Sequence, residues 1–278
     1  MAVKIVTDSG SDLPAEIAQA LGITIVPVYI YFGDKAYRDW VDISPDELYQ
    51  RLAEGPVHPT TTQPMPVDFA NVYRELSKET DKIVSIHLST KVSGTYNAAL
   101  QGKEMAQTKC HIEVVDSFAV SMGLGLIAMA AARIAQAGGS LPEVMEETRK
   151  AIDRVRLLGL LDTLKYLLLG GRITKARATV GSLLKVKPIL TVRDGELVQA
   201  GLARSYSKGM DQLYEFVKNI SDVQEVAIVY STVPDEANSL KRRIGSIISE
   251  ERIHMARLGA GLGVHGGPGT LIVTARQA

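Results

Sequence analysis

Apolar positions along this chain alternate between short β-branched runs and longer stretches of helical period. Residues 3–7 form a short apolar run that reads as a buried strand. Asp8 to Asp12 carry turn chemistry, Pro14 marks a helix start, and Gly22 suits a left-handed helix cap. Residues 23–31 make a second strand-like run. Ser44-Pro45-Asp46-Glu47 predicts a capped helix, with Pro45 in its first turn and Glu47 completing a capping box. A loop rich in Pro and Thr spans residues 58–66, and a helix follows to about residue 78. Strands at 82–88 and 111–115 alternate with helices at 96–107 and 122–136, and Ser140-Leu141-Pro142-Glu143 opens one more. Such alternation predicts βαβ units and a mainly parallel sheet.

The pattern changes near residue 155. Residues 155–161 predict a strand, and 162–169 a helix stopped by Gly170-Gly171. Runs at 188–193 and 196–203 flank Asp194-Gly195, the strongest short hairpin signal in the chain. A helix (208–219), a strand (225–231), a helix (234–248) and a glycine-rich tail complete the reading. A hairpin beside helices predicts a mixed sheet. The expected fold is therefore a two-domain α/β protein: residues 1–155 with a mainly parallel sheet flanked by helices, and residues 156–278 with a mixed α/β sheet. A length of 278 residues suits two domains.

Composition narrows the function. Lys+Arg and Asp+Glu are both 31, which argues against a nucleic-acid binder that relies on phosphate neutralisation. The single cysteine, Cys110, cannot form an intramolecular disulfide, so a reducing, cytoplasmic setting is expected. The start of the chain leads into a strand with Lys4 and Asp8 and does not read as a signal peptide. The longest uncharged stretch, residues 117–132, is shorter than a membrane span and diluted with Gly, Ser and Ala. It reads as a buried helix, so no stable membrane insertion is expected.

Ser93-Gly94-Thr95 opens a helix after a strand. Free N–H groups, a positive dipole end and two hydroxyls make such a turn an anion site, although Ser93 is also an ordinary cap residue. Ligands of open α/β sheets sit at the carboxyl ends of strands. Thr60-Thr61-Thr62-Gln63-Pro64 is a second hydroxyl cluster, and read alone it is better explained by a solvated turn leading into a helix. Residues 261–266 match the G-x-G-x-x-G letters of a dinucleotide fingerprint. Only twelve residues follow Gly266 and none is acidic, so close backbone packing around His265 is the better reading. The chain has no G-x-S-x-G elbow, no P-loop and no His/Cys cluster at metal spacing. Asp8, Asp12 and Asp116 lie near strand ends, where turn and cap roles are the commoner ones. No resident metal or cofactor is expected.

Taken in order, several segments resemble the DegV family of bacterial fatty-acid-binding proteins over nearly the whole chain. They are Val6-Thr7-Asp8-Ser9 with Asp12-Leu13-Pro14, Thr61-Thr62-Gln63-Pro64, and residues 88–96 around Ser93-Gly94-Thr95. Further on come Val115-Asp116-Ser117, Leu164-Lys165-Tyr166-Leu167 with Gly170-Gly171-Arg172-Ile173, and His265 with Gly267-Pro268-Gly269-Thr270. The chain departs from the family where Thr62 and Thr90 replace Ser, and where Val264-His265-Gly266 replaces Thr-His-Val.

The resemblance implies a protein that holds one long-chain fatty acid such as palmitate or oleate, tail buried, without being an enzyme itself. Carried over by position, Thr61 and Ser93 would contact the carboxylate, with Thr62 and Gly94 adjacent and His265 approaching from the other domain. It also implies a role in phospholipid metabolism. A separate kinase resembling dihydroxyacetone kinase would make the acyl phosphate, and Arg172 and Arg204 are candidates for docking it. An imidazole beside a carboxylate is expected to favour its protonated form. A tail of about 16 carbons gains on the order of 12 kcal/mol gross on burial. Two other classes remain at this point: a hydrolase or phosphotransferase using Ser93 or His265, and a nucleotide-binding regulator.

Overall fold

A computed structural model describes residues 2–55, 57–173 and 186–278. Four strands, β1 (Lys4–Asp8), β2 (Ile23–Val26), β6 (Lys82–His87) and β7 (His111–Asp116), form a parallel sheet in the order β2-β1-β6-β7. Helices α3 (Pro66–Leu76) and α4 (Thr95–Ala106) cover one face through Phe69, Tyr73, Ala98 and Ala99. A six-stranded mixed sheet takes its strands from the rest of the chain. These are β8 (Val155–Leu160), β9 (Lys187–Arg193), β10 (Glu196–Ala203), β11 (Val223–Tyr230), β12 (Ile253–Arg257) and β13 (Leu271–Gln277), in the order β10-β9-β8-β13-β11-β12. Helices α8 (Tyr206–Lys218) and α9 (Pro234–Ile244) cover its outer face.

Helix α5 (Met122–Gln136) lies between the two sheets, with α6 (Leu141–Arg154) beside it. Its first eleven residues, MGLGLIAMAAA, are apolar all round, as a helix buried on both sides requires. The small residues have a packing reason. A Cβ on Gly125 would lie 3.0 Å from the Ser11 carbonyl oxygen. Arg133, near the end of α5, joins Glu225 of β11 in a bidentate pair that Arg276 of β13 and His254 of β12 also share. Burial alone would raise the Glu225 carboxyl, but His254 and the two guanidiniums hold it far below the usual carboxylate range.

A third, small antiparallel sheet joins β4 (Lys35–Arg38), β3 (Tyr29–Phe32) and β5 (Thr60–Thr62) in that order. It packs with α2 (Pro45–Glu54) and α10 (Ala260–Gly266) around Ile30, Leu48, Tyr49 and Val264. Two short helices remain, α1 (Ala15–Leu21), ending at Gly22, and α7 (Lys165–Leu169), ending at Gly170.

The two-domain α/β architecture agrees with the sequence reading, and the Asp194-Gly195 turn has positive φ at both residues. Four expectations need correction. The single run at 23–31 is two strands in different sheets. It breaks at Pro27, which lacks an N–H, and the Ser9 hydroxyl accepts from Val28 N just beyond. The loop at 58–66 contains β5, whose strand state comes from pairing with β3. The Glu47 carboxylate pairs with Arg51 instead of closing the capping box, while Ser44 does accept from Glu47 N. The glycine-rich tail is a helix followed by β13, a strand in the interior of the second sheet that is buried along most of its length.

Candidate functional site

The cavity lies where the carboxyl ends of β1 and β6 meet the inner face of the second sheet. It encloses about 940 Å³ of empty space, counted with its opening to solvent. Leu157 and Gly159 of β8, Leu190 of β9 and Ile272 of β13 form one wall, and Leu88, Val92 and Val120 another. No Phe, Tyr or Trp side chain lines it among the described residues. Such a wall suits a flexible aliphatic chain.

Polar groups gather along the lining. Thr61 comes from β5, Ser93 precedes α4, and His265 sits near the end of α10. Thr61 Oγ1 lies 2.8 Å from His265 Nε2. Ser93 Oγ is 2.7 Å from Thr95 Oγ1 and accepts from Thr95 N, so it orders the first turn of α4. Gly94 is the N-cap of that helix. A Cβ there would come within 3.2 Å of the Gln63 side chain, so glycine lets the β5 loop approach. Thr62 also lines the cavity, from an exposed position. The structure thus brings Thr61, Thr62, Ser93 and His265 to one cavity, with Gly94 directly behind.

His265 is 8% exposed, and its Nδ1 has no partner among the described residues. Burial, helped by the Arg172 guanidinium and His58, pushes its pKa down to about 3. In the unliganded protein the ring is therefore neutral near pH 7. Desolvation is the dominant cause, and the expected protonation concerns the ring beside a bound carboxylate. A neutral ring carries one N–H, so the Thr61 hydroxyl can donate to or accept from it.

The two arginines named as docking candidates occupy different places. Arg172 lines the cavity itself. Its Nη1 donates to the Gly170 carbonyl, it pairs with no carboxylate among the described residues, and burial lowers its pKa. Arg204 is exposed just after β10 and is not part of the lining. Sequence reading also missed the part played by Gly170, whose Cα faces the His265 ring, and by His58, whose ring lies 5.9 Å from Tyr166. Gly170 was visible only as a helix stop.

The carboxylates considered for a metal are otherwise engaged. Asp8 accepts from Gly10 N and Leu88 N and bonds His87, Asp12 accepts from Ser121 Oγ and Gly259 N, and Asp116 accepts from Thr90 and Phe118 N. No group of three metal-ligating side chains occurs among the described residues. Nor does any helix among them have the length and apolarity to cross a membrane. The G-x-G-x-x-G letters fall inside α10 instead of in a turn before a helix, so they do not build a phosphate loop.

Fold and site together define a two-domain α/β protein with a largely aliphatic cavity whose lining includes hydroxyls and an imidazole. The DegV family model, described as "Uncharacterised protein, DegV family", matches residues 2–277. A DegV domain-containing protein of Caldanaerobacter subterraneus subsp. tengcongensis is 36% identical over 96% of this chain and 95% of its own length. Among solved structures, a fatty-acid-binding DegV family protein from Thermus thermophilus matches with a TM-score of 0.92 at 34% identity, covering 100% of both chains. DegV from Bacillus subtilis, a fatty acid binding protein, matches with a TM-score of 0.88 at 27% identity, again over 100% of both. The chain belongs to the DegV family.

Proposed function

We propose that this protein binds one long-chain fatty acid, with the acyl chain in the aliphatic cavity and the carboxylate at Thr61, Ser93 and His265. The observation that carries this reading is the geometry of a single cavity, aliphatic along its walls, with those three side chains in its lining. The fatty-acid-binding relative from Thermus thermophilus supports it. Arg172, in the same lining and without a carboxylate partner among the described residues, places a positive charge near the ligand headgroup. Thr62 and Gly94 shape the rim. Palmitate and oleate are suitable probes.

The acyl chain would be presented to a separate kinase that forms the acyl phosphate in the cytoplasm, as an entry to phospholipid metabolism. Exposed Arg204 is then a docking candidate, whereas Arg172 is better placed to meet the headgroup. We place the domain boundary near residue 155, because the strands of the parallel sheet precede that position and those of the mixed sheet follow it. Native mass spectrometry of the purified protein tests the main reading. The expected result is an added mass equal to one fatty acid. A protein that releases no lipid on extraction and takes up neither palmitate nor oleate afterwards overturns it.

A further inference from the structure

The helix that carries His265 comes from the C-terminal half of the chain but is seated in the N-terminal half. Glycine makes the close approach possible. A Cβ on Gly261 would lie 2.4 Å from Val28 Cγ2, and one on Gly263 would lie 2.6 Å from the Tyr49 hydroxyl. At the start of α10, Gly259 N donates to Asp12 Oδ1 at 2.8 Å and Ala260 N donates to Asp39 Oδ1 at 2.9 Å. Asp12 also accepts from Ser121 Oγ at 2.6 Å, which ties the same carboxyl to the cavity wall at the start of α5. Both carboxyls are fully buried, at 2% and 1% exposure, and neither pairs with a cation among the described residues. Burying carboxyl groups without a counter-ion is costly, and a cap of Ser or Asn would satisfy the same N–H groups more cheaply. Their presence calls for a further reason.

We propose that Asp12 and Asp39 are positioning residues of the lipid site: by holding the first N–H groups of α10 they fix where His265, at its other end, meets Thr61. This rests on the fatty-acid reading above. The helix is a short rigid lever, since a few residues at about 1.5 Å rise per residue transmit a displacement from one end to the other. A shift well under 1 Å stretches the 2.8 Å Thr61–His265 contact beyond hydrogen-bond range.

Three variants test this: Asp39→Ala, Asp39→Asn and Ala260→Pro. Asn keeps a carbonyl oxygen for the Ala260 N–H. Proline removes that N–H at the first position of the helix and turns its ring carbons toward Asp39 in its place, and Gly259 (φ −61°, ψ 164°) already has the extended backbone that proline requires before it. Two readouts are compared: the imidazole 15N resonances of His265 in the lipid-free protein, and palmitate affinity. Asp39→Ala and Ala260→Pro are expected to move the His265 resonances and weaken palmitate binding about tenfold. Asp39→Asn is expected to keep both near wild type, within about threefold in affinity. Unchanged His265 resonances in Ala260→Pro overturn the proposal, and so does an Asp39→Asn variant as impaired as Ala260→Pro. If Asp39→Ala does not fold, the other two variants decide alone. If the wild type takes up no palmitate, the fatty-acid reading falls, while the lipid-free resonances still test the positioning role.

Discussion

Gly170 and His265 are in such close contact that a Cβ on Gly170 would sit 2.1 Å from the imidazole Nδ1. The backbone of Gly170 is ordinary, with φ −78° and ψ −6°, so the restriction comes from the ring and not from conformation. This glycine and the Thr61 hydroxyl approach different ring nitrogens of the same imidazole, so its placement depends on both.

Gly170→Ala is therefore expected to displace the imidazole and break its bond to Thr61. Losing a hydrogen bond to a charged carboxylate costs about 1.5–3 kcal/mol, or roughly ten- to a hundredfold in affinity. Palmitate titration monitored by calorimetry checks this. Wild-type affinity in the variant would show that the ring position does not matter for the lipid.

Thr61→Ala and Ser93→Ala are both expected to weaken palmitate binding, by a similar factor. They should differ in stability. Ser93 Oγ accepts from Thr95 N at the start of α4, so its loss removes a cap-like bond worth about 0.5–2 kcal/mol. Thr61 makes no such bond to a helix end. Thermal denaturation beside the binding assay separates the two effects, and equal melting temperatures would remove the capping role from Ser93.

The His265 ring is expected to stay neutral in the lipid-free protein throughout pH 5–9, because burial holds its pKa at about 3. A bound carboxylate favours the charged form and moves that value up. Proton uptake on binding then strengthens affinity as pH falls below the bound-state pKa toward the lipid-free value of about 3, and this group contributes no pH dependence above the bound-state pKa. NMR titration of the imidazole with and without palmitate measures both values. A ring that titrates near 6.5 in the lipid-free protein would contradict the burial argument.

Asp12 and Asp39 make stability fall as pH rises. Burial raises their pKa values from 3.8 to about 8 and about 7, against the hydrogen bonds from Ser121 and Gly259 at Asp12 and from Ala260 N at Asp39. A group raised in the folded state contributes stability that is full below its unfolded pKa and lost as pH rises through the folded one. The window runs from about pH 4 to about pH 8, with a slope of at most about 1.4 kcal/mol per pH unit for each group. His265, held low, acts in the opposite direction only below its unfolded value of 6.5. Melting temperatures between pH 6.5 and 9 should therefore decline in the wild type and decline less in Asp39→Asn. Parallel curves would show that Asp39 does not titrate in this range.

The sequence by itself determined most of the elements and the general chemistry of the site. Helix α5 was legible because a helix buried on both sides must be apolar all round, and residues 122–132 are. The β9–β10 hairpin was legible because Asp194-Gly195 accepts the positive φ that its turn requires. Hydroxyls in loops at strand ends marked Thr61 and Ser93. Tertiary structure decided the rest. Three-residue β5 is too short for any periodicity and exists by pairing with β3. Strand β13, buried on both faces for most of its length, shows no alternation, and the glycines before it drew attention away from Leu271–Gln277. The contacts that position the site join residues far apart in sequence: Thr61 with His265, Gly170 with His265, and Asp12 and Asp39 with the start of α10. Local pattern reports what a segment prefers. Which side chains meet across 204 residues of chain is decided only when both sheets have packed against α5 and α10 has settled on its glycine faces.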